Sequence, residues 1–102
     1  MNYRNFKDVN GENILMLAVR ANNASQIAKM HPLESFLEEK NNKGETALFI
    51  ASKLGYEHCV ETLINLGANI KTEDKHGWDC LDIAGANRHF NVANILLREM
   101  YL

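Results

Sequence analysis

The residues whose types could do chemistry are Cys59, Cys80, His58, His76 and His89. Structural zinc takes paired ligands such as C-x₂-C or H-x₃₋₅-H. Neither pair occurs here: His58 adjoins Cys59, and three residues separate His76 from Cys80. Cys59 with His89 could be drawn as nucleophile and base, but nothing supplies an orienting group or an oxyanion hole. A G-x-S-x-G elbow, a phosphate loop and an H-E-x-x-H helix are all missing. Asp79 and Asp82 do not form a carboxylate dyad: Asp79 reads as a helix cap, and Asp82 lies in a first turn, where the helix dipole favours an acid. No catalytic residue, no cofactor and no metal ligand are therefore expected of this chain.

Any use of these residues needs a scaffold, and the composition supports one. The chain has 102 residues, 46% apolar and 24% charged, which suits one small folded domain and excludes a disordered one. Its net charge of −2, from 11 basic and 13 acidic residues, excludes a strongly basic chain. Nucleic acid and a polybasic membrane surface are thus not expected partners. Two cysteines cannot make a disulfide scaffold, which points to a cytoplasmic, reducing setting. No run approaches 18 apolar residues, and residues 1–7 lack the apolar core of a secretory signal.

The scaffold is a repeat. Gly11, Gly44 and Gly77 are spaced by 33 residues, as are Leu15, Leu48 and Leu81, and Ala18, Ala51 and Ala84. The same shift aligns Ile27 with Val60 and Ala93, and Met30 with Leu63 and Leu96. Asp8, Asn41 and Asp74 stand three residues before each glycine, where Asp and Asn favour turns. Asn13, Thr46 and Asp79 stand two residues after it and are helix-capping types. The division expected is 8–40, 41–73 and 74–102, with 1–7 as an N-terminal cap.

Each unit reads as two short helices. The first runs from about Asn13 to Ala21, Thr46 to Leu54 and Asp79 to Asn87, with apolar residues such as Leu48, Ala51 and Leu54 at helical spacing. Asn22 and Gly55 break it, both tolerant of left-handed backbone; Arg88 holds that place in the third unit and is a poorer choice. The second helix starts near Ser25, Glu57 and Asn91, with Val60, Leu63, Ile64 and Leu66 as the buried stripe of the middle unit and Gly67 as its C-cap. In this register Cys59 falls on a second helix and Cys80 opens a first one. Both then read as small buried residues.

The stretch from Gly44 to Tyr56, G-E-T-A-L-F-I-A-S-K-L-G-Y, resembles the ankyrin repeat motif G-x-T-P-L-H-x-A-A-x-x-G-H. Leu63 to Ile70, L-I-N-L-G-A-N-I, is similar to its continuation L-L-x-x-G-A-D-V. The resemblance covers Asp8 to Leu102. It implies an all-α solenoid of stacked helix-turn-helix units with β-turn fingers, and a protein-interaction module in place of an enzyme. There are departures. Ile14, Ala47 and Cys80 replace the helix-opening proline. Met16, Phe49 and Asp82 replace the histidine that ties neighbouring units, so packing is expected to do that job. His31-Pro32 should end the second helix of the first unit, with Leu33, Phe36 and Leu37 adding a short turn that closes the core. Glu34 stands where the family has glycine. Tyr3 and Phe6 are expected to cover the first unit. The apolar end from Leu96 to Leu102 either folds back, meets a partner or a second copy, or continues into a longer array.

By resemblance, the fingers and the exposed side of each first helix form a concave binding face. The residues expected there are Glu12 and Arg20 in the first unit, Lys43, Glu45, Lys53 and Leu54 in the second, and Lys75, His76, Trp78 and Asn87 in the third. Trp78 has little core to enter. It is either a binding anchor or a cover over the neighbouring finger at Lys43 or Glu45. The second and third fingers lean basic, so the expected partner is a protein with an acidic or mixed segment. The chain itself is expected to be a monomer or a weak homo-oligomer.

Overall fold

The computed structural model describes residues 5–30 and 34–101, and these form seven helices and no strand. The helices are α1 (Ile14–Arg20), α2 (Ala24–Met30), α3 (Glu34–Glu38), α4 (Ala47–Leu54), α5 (Glu57–Asn65), α6 (Cys80–Ala86) and α7 (Phe90–Tyr101). His31, Pro32 and Leu33 lie outside the described residues, as does Tyr3. The molecule measures 39 × 28 × 21 Å.

Three near-identical turns precede α1, α4 and α6. In each, one Asp or Asn side chain holds two backbone N–H groups. Asp8 Oδ1 accepts from Asn10 and Glu12, Asn41 Oδ1 from Lys43 and Glu45, and Asp74 Oδ1 from His76 and Trp78, at 2.9–3.0 Å. The backbone closes the same turn each time, for example through the Gly44 N–H to the Asn41 carbonyl at 3.0 Å. Gly44 has φ +78°, and a Cβ there would stand 2.8 Å from the Lys75 nitrogen. Glycine is needed for the left-handed backbone and for the approach of the next finger.

The first helices start where the capping residues stand. Asn13, Thr46 and Asp79 accept from the N–H of Met16, Phe49 and Asp82, and Asp82 returns a bond to Asp79 to complete a capping box. Gly55, Asn22 and Arg88 end or follow these helices at φ 76°, 53° and 61°. Arg88 occupies the left-handed region without glycine's freedom.

The helices stack in two rows, α1–α4–α6 and α2–α5–α7. The middle unit has a neighbour on both sides, so Ala47 to Ser52 are all buried in α4. In α6, at the outer side, only Cys80 and Ala84 are buried. In α5 the buried residues are Cys59, Val60 and Leu63; Ile64 and Leu66 are half-buried against them. Phe36 and Leu37 of α3 close the core of the first unit. Burial of each large apolar side chain contributes about 1.5–3 kcal/mol. Phe6 remains 42% exposed. The apolar end does not fold back as far as Tyr101: α7 runs on as one helix.

Packing does not act alone between units, which corrects the expectation from the missing histidines. The Asn42 N–H donates to the Asn10 carbonyl at 2.9 Å, and the Asn42 side chain to the Val9 carbonyl at 3.1 Å. Glu38 accepts from Asn69, Asn91 donates to Glu57, and Asn87 donates to the Lys53 carbonyl. Apart from the backbone bond between Asn42 and Asn10, these ties use side chains that vary between units, so the family motif does not announce them.

Candidate functional site

The finger-and-helix face is built on a pattern of paired charges eight residues apart. Glu12 is 2% exposed, and Arg20 reaches it with two N–H groups at 2.6 and 2.7 Å. Glu45 is 3% exposed and pairs with Lys53 at 3.3 Å. Between them the Asn41 amide donates to both carboxylates at 3.0 Å. The Arg20 guanidinium holds Glu12 below its ordinary pKa, against the opposing effect of burial, and Glu12 in turn raises Arg20. The two glutamates expected on the binding face are therefore buried struts. They hold their cations in place and do not meet solvent themselves.

The third unit abandons this pattern. Trp78 stands at the register of the glutamates and Ala86 at that of the cations. The consequence is a groove of about 750 Å³ between the second and third fingers, whose lining includes Lys43, Glu45, Lys53, Lys75, His76 and Trp78. Six of the ten expected face residues thus come together. Phe49 and Ile83 add apolar surface, and Asn42 and Asp74 line the finger side. Trp78 is 41% exposed and shares the groove with Lys43 and Glu45. Of the remaining four, Glu12 and Arg20 flank a separate cleft beside the first finger. Leu54 is half-buried against the core. Asn87 is exposed at the end of α6, bonded to the Lys53 carbonyl at 3.3 Å. Phe49 and Ile83 were not expected in the site. The signal for Phe49 was its place at the register of the family histidine, on the side facing the next unit.

The groups with chemical potential are dispersed. Cys59 is buried, with its thiol donating to the Asn22 side-chain Oδ1 at 3.6 Å, and burial raises its pKa. Burial pushes Cys80 up to about 12, so neither thiol is a thiolate near neutral pH. His58 is exposed beside Glu61 at 3.7 Å. His89 packs over Gly55. Among the described residues no three His, Cys, Asp or Glu side chains gather as a metal site.

The family model for ankyrin repeats in three copies matches residues 15–101. This chain belongs to the ankyrin repeat family. It is similar to an ankyrin repeat-containing protein of Arabidopsis thaliana, 34% identical over 67 residues, which are 64% of this chain and 13% of that one. An ankyrin repeat-containing protein of Caenorhabditis elegans is 38% identical over 68 residues, covering 66% of this chain and 6% of the relative. A glycerophosphocholine phosphodiesterase of Candida albicans is 34% identical over 89 residues, covering 82% of this chain and 8% of the enzyme. The ankyrin chain thus spans about a tenth of the length of the curated relatives it matches. The ankyrin fold is a non-catalytic one that generally serves protein–protein interaction. No described helix is long and apolar enough to cross a membrane.

Proposed function

We propose that this ankyrin chain is a protein-binding module that holds a segment of a partner in the groove between its second and third fingers. The units 8–40, 41–73 and 74–102 act as one stack that presents this face, and no catalytic step is involved. The observation that carries the reading is the half-exposed Trp78 beside Phe49 and Ile83 in a groove rimmed by Lys43, Lys53 and Lys75. Tryptophan at a groove wall buries a large, rigid area when a partner arrives. The test is affinity capture from native lysate with wild type and with Trp78→Ala plus Lys53→Ala. A partner held by wild type and lost by the variant supports the groove. A partner retained equally by both removes it.

A second reading has its own observation. On α7, Phe90, Leu97 and Tyr101 are 63%, 38% and 81% exposed, at helical spacing. This apolar stripe suits self-association. Light scattering of wild type against Leu97→Glu tests it: equal masses at all concentrations would end this second reading.

A further inference from the structure

Stacking forces equivalent finger tips together, and the tips change character along the stack. They read Val9-Asn10, then Asn42-Lys43, then Lys75-His76, so the second and third tips each carry a lysine that the first lacks. The Lys75 N–H donates to the Lys43 carbonyl at 3.4 Å, so the backbones of these two exposed lysines are in contact. The ion pairs among the described residues are Lys7–Glu39, Arg20–Glu12, Lys53–Glu45 and His58–Glu61. Neither Lys43 nor Lys75 has a carboxylate within pairing distance among them. Asp74, at the same groove, has its Oδ1 engaged by two backbone N–H groups. A carboxylate brought to this edge of the groove gains Coulomb attraction from both lysines without displacing an existing ion pair. The first unit offers no such position: Arg20 is already neutralised by Glu12.

We infer that the groove recognises a partner segment in which carboxylates stand next to a large apolar side chain, the carboxylates at Lys43 and Lys75 and the apolar group on Trp78. The inference rests on the groove reading and adds the chemistry and polarity of the occupant. Charge complementarity selects it, because the groove lining carries Lys43, Lys53 and Lys75 against Glu45 and Asp74, and Glu45 is taken up by Lys53.

The experiment is selection of a random dodecamer peptide library on the whole chain, followed by affinity measurement at low and high salt. The variants are Trp78→Ala and the double change Lys43→Gln with Lys75→Gln, each first checked for wild-type thermal unfolding. The expected result is enrichment of peptides with Asp or Glu beside Trp, Phe or Leu, bound more weakly at high salt. The double lysine variant should weaken them roughly threefold to tenfold. Trp78→Ala should weaken them about tenfold or more. Neutral peptides that need Trp78 but ignore salt and both lysines would overturn this inference and leave the groove standing. Peptides indifferent to Trp78 as well would overturn the groove itself. Failure to enrich any peptide family would count against both.

Discussion

Glu12 shows how one side chain can look functional and be structural. An acid in a finger, beside a solvent-facing Arg, fits a binding face on paper. In the fold its carboxylate is enclosed by Arg20 and the Asn41 amide. Burying a charge is tolerated only with such partners. The same geometry sets a pH dependence. Arg20 lowers the Glu12 pKa in the folded chain relative to the ordinary value of 4.5. A depressed carboxylate contributes stability above its unfolded value, and that contribution is lost as pH falls through the folded value. Wild type should therefore lose stability on acidification below about pH 4.5. Glu12→Gln should cost about 1–3 kcal/mol at neutral pH and give a flatter acid limb. Urea midpoints between neutral pH and pH 3 measure both; an unchanged acid limb would remove Glu12 as its source.

At the scale of elements, three first helices start from the same device and end differently. Asn13, Thr46 and Asp79 all cap as their types require. The breaks at Asn22 and Gly55 suit left-handed backbone, whereas Arg88 adopts φ 61° with a Cβ in place. That conformation costs a non-glycine residue about 1–2 kcal/mol, and glycine returns part of it as chain entropy. Arg88→Gly should stabilise the chain by up to about 1 kcal/mol, read as a rise in melting temperature. A fall would show that the Arg88 side chain makes a contact worth more than the strain. The contrast between α4 and α6 is also an element-scale matter. Phe49 and Ser52 face the next unit and are buried, while their counterparts Asp82 and Gly85 are exposed. A polar residue and a glycine at these places leave little apolar surface exposed on this side of α6.

For the whole molecule, stability runs through the middle unit. Each ankyrin unit buries its faces against neighbours, and among the described residues α4 and α5 have them on both sides. Phe49, 2% exposed, sits where the second unit meets the third and where the groove has its floor. Phe49→Ala should cost about 3–5 kcal/mol, a large share of the stability of a chain this size. Because both neighbours lean on α4, the loss should appear as one lowered transition of the whole chain in circular dichroism. A separate early transition confined to the third unit would mean that the stack is less cooperative than its packing implies.

The sequence by itself determined the repeat, the helix starts and the finger turns. These depend on contacts within a few residues, such as Asp8 with Asn10 and Glu12, so residue type and spacing carry the information. The resemblance to the ankyrin repeat, carried by the sequence motifs, implied one face for Lys43, Glu45, Lys53, Lys75, His76 and Trp78, and these six line one groove. Only the tertiary structure decided which of them meet solvent. Glu12 and Glu45 are withdrawn by bonds to Asn41, which is 29 residues from the first and 4 from the second. Phe49 and Ile83 enter the groove because an aromatic and an alanine replace a charge pair in the unit above. Pairing across units, as between Asn41 and Glu12, depends on side chains distant in sequence, and no local pattern encodes it.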